Sequence, residues 1–140
     1  MTRMTTKDRA LMKQAARRAF ARSDLHREVK EASFIQHHDP SRPKVKQWAR
    51  CNVCKKPEAK SYVEVDHIVP WVPLNSSWED WVLEIGLTAA IDLLWCDKSN
   101  LQVICPECHD RKSAAEKEQR KVLCPKKPRA PRKKKTCAKT

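Results

Sequence analysis

The stretch that decides the fold is Asn-Leu-Gln-Val-Ile-Cys-Pro-Glu-Cys-His-Asp-Arg-Lys-Ser at 100–113, taken together with Cys-Asn-Val-Cys at 51–54. Each segment contains a CxxC pair, and such a pair forms a tight knuckle that presents two thiolates at about tetrahedral spacing. Two knuckles complete a closed site. Because sulfur would fill every position, the spacing predicts a structural rather than a catalytic zinc. Its ligands are Cys51, Cys54, Cys105 and Cys108.

The compartment decides whether the seven cysteines are metal ligands or disulfide partners. No apolar run is long enough for a membrane span, and the polar N-terminus is unlike a signal peptide. We therefore expect a soluble, cytoplasmic protein without a membrane partner, in which thiols stay reduced. Of the three remaining cysteines, Cys96 is expected to be buried, and Cys124 and Cys137 to be tail thiols.

The composition narrows the functional class. The 140 residues allow one ordinary domain with extensions, and Gly86 is the only glycine. Glycine-rich phosphate loops are thereby excluded, and with them the P-loop and dinucleotide-binding folds.

Charge is segregated along the chain, whose net charge is +13. Residues 1–50 hold 13 basic and 5 acidic residues, 51–116 hold 6 and 11, and 117–140 hold 11 and 1. Two basic arms thus flank an acidic centre. The arms indicate a polyanionic partner, because the release of counterions from phosphates drives such binding. The acidic centre is what a cation-binding site needs.

Between the knuckles the pattern predicts a β-β-α arrangement in an α+β domain. Residues 61–65 alternate like a strand and run into Asp66-His67-Ile-Val-Pro. Asn100 precedes a second short strand, and Pro106 suits the first turn of a helix that carries His109. Neighbouring strand residues point to opposite faces, so Asp66 and His67 share a site only if the strand ends there, as Pro70 suggests.

The order DHIVP…NLQVICPECHDRKS, preceded by CNVC, resembles the HNH endonucleases with zinc knuckles, especially the small bacteriophage type. Upstream, RRAFARSDLHREVKEA resembles the basic helical segment that those proteins place before the first knuckle. The resemblance covers most of residues 15–118. It implies a small ββα-metal domain, located in the host cytoplasm if phage-encoded, that hydrolyses phosphodiester bonds in double-stranded DNA.

The resemblance also implies roles for four residues. Asp66 and His109 would bind a catalytic divalent cation, His67 would be the general base on the attacking water, and Asn100 would orient the histidine. These roles suit the chemistry, since imidazole accepts a proton near neutral pH and a cation stabilises charge on the phosphate. Mg²⁺ is the expected cation, and the histidine ligand would also favour Mn²⁺.

Basic side chains near these motifs are candidates for phosphate contacts, although a solvated helix face explains them equally well. They are Arg17, Arg18, Arg22, Arg27, Arg111 and Lys112. Helical spacing over 6–32 fits one helix or two, with Asp24 after Ser23 as a cap. No helix presents an obvious set of base-reading residues, so we expect phosphate-dominated, salt-sensitive binding.

The predicted organisation has three parts: a basic helical extension and linker at 1–47, the nuclease domain with its knuckles at 48–118, and a disordered basic tail at 119–140. The domain contains a Trp-rich insert at 71–95 with a Ser77–Asp80 cap and an apolar stripe at helical spacing. That stripe is more often core than interface, and it is where a dimer contact would be sought.

Two alternatives remain open at this point. The chain could be a non-catalytic zinc-dependent DNA-binding module, which the arms and the four-cysteine site fit as well. It could also be a nuclease accessory to a phage packaging or recombination machine.

Overall fold

The computed structural model describes residues 3–126 and is of the α+β class. Its helices are α1 (Thr6–Ala21), α2 (Asp24–Glu31), α3 (Trp78–Ile85), α4 (Leu87–Asp92) and α5 (Pro106–Leu123). Its strands are β1 (Phe34–Ile35), β2 (Trp48–Arg50), β3 (Pro57–Ala59), β4 (Glu64–His67) and β5 (Leu101–Ile104), and a 3₁₀ turn at Lys98–Asn100 leads into β5.

The N-terminal segment forms two helices, because side chains cap each of them separately. Thr5 and Asp8 form a capping box at the start of α1, each bonding the other's backbone N–H. The first helix ends at Ala21, and Ser23, not the predicted Asp24, caps the second, where its hydroxyl accepts a hydrogen bond from the backbone N–H of His26 at 3.2 Å. The two-helix interpretation of this segment is therefore the correct one.

The strands form two small antiparallel sheets, one of order β1-β2-β3 and one of β4 and β5. In the second sheet Asp66 lies opposite Gln102 and His67 opposite Leu101. Asn52 of the first knuckle joins the sheets: its N–H donates to the Val103 carbonyl at 2.8 Å, and its side-chain oxygen accepts from the Val103 N–H at 2.9 Å. The knuckle thus pairs with β5 like an extra strand residue.

Helix α1 shares a core with the central part of the chain instead of standing apart from it. Ala16 and Phe20 are buried against Leu94 and Leu101. Helix α2 adds Leu25 and Val29 at the edge of the same cluster. The segment predicted as an extension at 1–47 therefore contributes to the packing beneath β4 and β5.

The Trp-rich insert folds into α3 and α4, and its apolar stripe is core. Trp78, Val82 and Ala90 are buried together with Val72. Ser77 caps α3 by accepting from the Asp80 N–H at 3.1 Å. Gly86 separates the two helices with a φ of +87°, a conformation that L side chains rarely adopt.

Helix α5 extends past the predicted start of the tail. Residues 119–123 are helical, so the disordered tail predicted at 119–140 begins too early. The reason is Arg120, which donates to the carbonyls of Val72, Pro73 and Ser76 at 2.7–3.0 Å and so fixes the end of the helix to the insert. Residues 127–140, which include Cys137, lie outside the described residues.

Among residues 3–126, every helix is too short or too polar to cross a membrane.

Candidate functional site

The four predicted zinc ligands come together at the junction of the two knuckles. The sulfur atoms of Cys51, Cys54, Cys105 and Cys108 all lie within 4.8 Å of one another. The Sγ atoms of Cys54 and Cys105 are 3.9 Å apart, close to the spacing of about 3.8 Å that a tetrahedral site with metal–sulfur bonds of about 2.3 Å requires. Four sulfur donors in this arrangement fit a zinc ion, so the predicted ligand set is confirmed as a candidate metal site.

The electrostatics of the cluster favour a bound cation. Burial acts to raise the pKa of Cys51, but hydrogen bonds from the backbone N–H groups of Cys105, Cys54 and Val53 lower it to about 6. Burial and the neighbouring thiols raise the pKa of Cys105 to about 12. Cys51 is thus a ready thiolate, whereas Cys105 would need a bound metal to ionise beside it.

The second knuckle is also the beginning of α5. Cys105 is the N-cap of this helix and Cys108 lies in its first turn. The guanidinium of Arg111 donates to Cys108 Sγ at 3.3 Å. The proposed phosphate role of Arg111 therefore competes with a contact to the metal site, and the cluster links α5 to the β2–β3 hairpin.

Next to this cluster, an open groove runs between β4, α1 and α5. Eleven titratable side chains from four helices and strands line it: Lys13, Arg17, His26, Lys30, Glu64, Asp66, His67, His109, Lys112, Glu116 and Arg120. Five of these are lysine or arginine and three are carboxylates. The folded chain thus places charges from both basic arms around acidic residues of the centre.

His67 is held in the groove from two sides. Its Nε2 lies 2.9 Å from the carbonyl oxygen of Leu94, just after α4. Its ring also packs on Phe20 of α1, with the ring centroids 5.3 Å apart. A carbonyl only accepts hydrogen bonds, so Nε2 must carry the proton, and Nδ1 is the basic nitrogen of the neutral ring.

Asp66 lies in the same groove, which is lined along β4 by every residue from Glu64 to His67. The carboxylate is one-fifth exposed and lies 3.0 Å from the ammonium of Lys112. Gln102, its cross-strand neighbour, donates to it at 3.4 Å. Lys112 also pairs with Glu116, and although burial lowers its pKa, the hydrogen bonds that the ammonium donates to Glu116 and Asp66 raise the pKa of Lys112 overall.

His109 faces β4 from the first turns of α5. Its Nε2 lies 3.6 Å from a carboxylate oxygen of Glu64. Glu64 and Asp66 are two residues apart on β4 and hence on one face of the strand. One imidazole and two carboxylates therefore border the same part of the groove.

Asn100 acts on the backbone that follows His67, and not on the imidazole itself. Its side-chain oxygen accepts from the Val69 N–H at 2.8 Å, and its Nδ2 donates to the Val69 carbonyl at 3.2 Å. Its own carbonyl accepts from the Ile68 N–H at 2.8 Å. Asn100 is therefore placed to fix the turn that ends β4, and the predicted orientation of the histidine would act through this backbone.

Replacing Asn100 with alanine should loosen this turn while the cysteine cluster persists. The loss of two hydrogen bonds to Val69 should lower the free energy of unfolding by about 1–3 kcal/mol. Chemical denaturation measures this, and zinc content should be unchanged. Asn75→Ala, in an exposed loop, is the matched control, and equal stability of the two variants would contradict the role.

The fold brings only some of the residues predicted to contact phosphates into the groove. Arg17 and Lys112 line the groove. Arg18 and Arg22 are exposed and lie outside its lining, and Arg27 is exposed in an ion pair with Asp24 at 2.8 Å. A contact of these three arginines with DNA stays a prediction.

Several residues of the groove were not predicted from the sequence. The Leu94 carbonyl is a backbone group without a side-chain signal, and Lys13 and Arg120 belong to helices that meet only in the folded chain. Glu64 could have been found, because it lies two residues before Asp66 on a predicted strand. Cys96, expected to be buried, is half-buried and accepts a weak hydrogen bond from Asn100.

Comparison of the chain with protein-family models, with curated proteins and with solved structures finds no significant match, so conclusions about function rest on its own residues.

Proposed function

We propose that the chain is a metal-dependent endonuclease of the HNH type, which hydrolyses phosphodiester bonds in double-stranded DNA. The observation that carries the proposal is the placement of Asp66, His67 and His109 in one groove, with His67 Nε2 bound to a carbonyl. The element order β4, β5, α5, with a four-cysteine cluster at the start of the helix, agrees with the ββα-metal domain of that family.

His67 is the proposed general base. Its Nε2 proton is engaged by Leu94, so Nδ1 is the nitrogen that takes a proton from the attacking water. The imidazolium formed in that step keeps its hydrogen bond to the Leu94 carbonyl, which is well placed to stabilise the added positive charge. Phe20 packs against one side of the ring.

Asp66 and His109 are the proposed ligands of a divalent cation. A carboxylate oxygen and an imidazole nitrogen suit Mg²⁺, Mn²⁺ or a later transition metal, and Glu64 adds a further oxygen on the same side. His109 and Glu64 approach within 3.6 Å, and Asp66 lies on the same face of β4, so an imidazole and two carboxylates would meet a cation there once the ammonium of Lys112 leaves Asp66. A bound cation would supply stabilisation of negative charge on the phosphate and the leaving oxygen.

Lys112 is the residue that would respond when the cation and DNA arrive. Its ammonium lies between Asp66 and Glu116 in this structure. A cation on Asp66 would weaken that ion pair by repulsion, and Lys112 would then be free to contact a phosphate from the groove wall. This gives Lys112 the phosphate role that its position after His109 suggested.

The alternative of a non-catalytic DNA-binding module is favoured by the same ion pair, since a carboxylate neutralised by lysine can be purely structural. A binding module does not explain the hydrogen bond between His67 and the Leu94 carbonyl or the position of His109 in the groove. A role as an accessory to a packaging or recombination machine is compatible with both the nuclease and the binding module.

Cleavage of supercoiled plasmid tests the proposal. Zinc-loaded protein with Mg²⁺ or Mn²⁺ should convert the plasmid to nicked or linear DNA, and the ratio of these products separates nicking from double-strand cutting. Retarded plasmid that stays supercoiled with every divalent cation would instead support the binding module.

A further inference from the structure

The groove continues beyond the proposed catalytic groups into a second basic region. Lys13 and Arg17 lie one turn apart on α1, and Arg120 approaches them from α5. All three line the groove that holds Asp66 and His67, and they also line an adjoining depression bounded by Trp78. We call these three residues the α1–α5 cation cluster.

Lys13 is the least expected member, because its charge is half-buried without an anion. Its ammonium lies 5.4 Å from the centroid of the Trp78 ring. No ion pair between described residues includes Lys13, Arg17 or Arg120. Burial, and then repulsion by Arg17 and Arg120, lower the pKa of Lys13, with only partial compensation from Glu79. Buried charges are normally paired, whereas the half-buried Lys13 makes no ion pair with a described residue, although Glu79 also lines the adjoining depression.

Arg120 is fixed in place before any ligand arrives. Three of its N–H donors bond the carbonyls of Val72, Pro73 and Ser76. Carbonyls hold the guanidinium without neutralising it, so its charge stays available to the groove. A guanidinium has five N–H donors, which leaves two for an anion.

We propose that the α1–α5 cation cluster binds one backbone phosphate of the DNA strand, on the flank of the cleavage site. The ligand class follows from the charges and from continuity: three cations, none of which forms an ion pair with a described residue, share a groove with the proposed catalytic groups. The inference rests on the proposed function for the identity of the polyanion as DNA. Such a contact would fix the register of the duplex, since phosphate contacts position a protein without reading sequence.

The salt dependence of binding tests this subsite separately from cleavage. The protein carries His67→Ala in every sample, with no added divalent cation, and the probe is a fluorescent DNA duplex followed by anisotropy. The slope of log Kobs against log salt is negative, and loss of one phosphate contact decreases its magnitude by about 0.9. We expect that decrease in the double variant Lys13→Gln/Arg17→Gln.

The matched control is Lys7→Gln/Lys117→Gln. It also removes two positive charges, but from exposed positions of α1 and α5. It should keep the slope of the parent protein. Equal slopes in the two double variants would overturn the subsite, because net charge alone would then explain binding. Melting temperatures are compared first, and Lys13→Arg, which keeps both positive charges, should retain the slope of the parent protein.

The two proposals can fail separately. If the wild-type protein cuts plasmid but Lys13→Gln/Arg17→Gln binds with an unchanged slope, the nuclease stands and the subsite falls. If no cation supports cleavage but the slope decreases as expected, the phosphate subsite stands and the nuclease falls.

Discussion

Removal of the metal from the four-cysteine cluster is expected to unfold the described domain. Structural zinc contributes about 10–16 kcal/mol in small domains, whereas whole domains are stable by only about 5–15 kcal/mol. The core here is divided into four small clusters of buried residues. Without the metal, the hairpin at 48–59 is held to β5 by the two Asn52–Val103 hydrogen bonds and by the small cluster of Ala49, Val63 and Val103.

Cys105→Ser gives the same result without a chelator. Its sulfur is buried among the other three, and serine is a poor zinc ligand, so we expect loss of stoichiometric zinc and of cooperative unfolding. Circular dichroism and a colorimetric zinc assay measure both. Cys124→Ser, outside the cluster, is the control and should behave like wild type. A chelated protein that melts at the wild-type temperature would show that the cluster is not structural.

His67→Ala is expected to reduce plasmid cleavage by about 10²- to 10⁴-fold, the usual contribution of a general base. The change removes Nδ1 and also the hydrogen bond to Leu94, but the four cysteines and the β4–β5 pairing remain. The variant should therefore keep its zinc and its cooperative melting. The initial rate of loss of supercoiled plasmid is the measurement.

His38→Ala is the matched control, because His38 is exposed in the loop before β2. It should cut at the wild-type rate. Equal rates for His67→Ala and wild type would mean either that His67 is not the base or that a contaminating nuclease does the cutting. Unfolding of His67→Ala would call for His67→Gln, which retains a hydrogen-bond donor for Leu94.

The cysteine cluster was the part most fully predictable from sequence. The spacing of the two ligands within each CxxC pair is set locally in the sequence. The fold then needs only to bring the two pairs together to form the site. The capped starts of α2 and α3 were predictable for a similar reason, since Ser23 and Ser77 act on backbone groups within three residues.

The surroundings of His67 could not be predicted in the same way. They depend on a carbonyl from the insert and an aromatic ring from α1, which are 27 and 47 positions away in sequence. The predicted domain boundary at 118 falls inside α5, whose last turns are fixed by Arg120. Its stabilising partners are backbone carbonyls of a loop, which carry no signature in sequence.

The central claim is that the groove holds a catalytic site whose cation is distinct from the zinc. The most direct test is a titration of Mn²⁺ into wild-type and Asp66→Asn protein, each carrying one zinc per chain, with supercoiled plasmid as substrate. We predict that wild-type cleavage rises from near zero with added Mn²⁺ at constant zinc content, and that Asp66→Asn needs far more Mn²⁺ or stays inactive. Cleavage that is complete without added cation, or identical in both proteins, would contradict the claim.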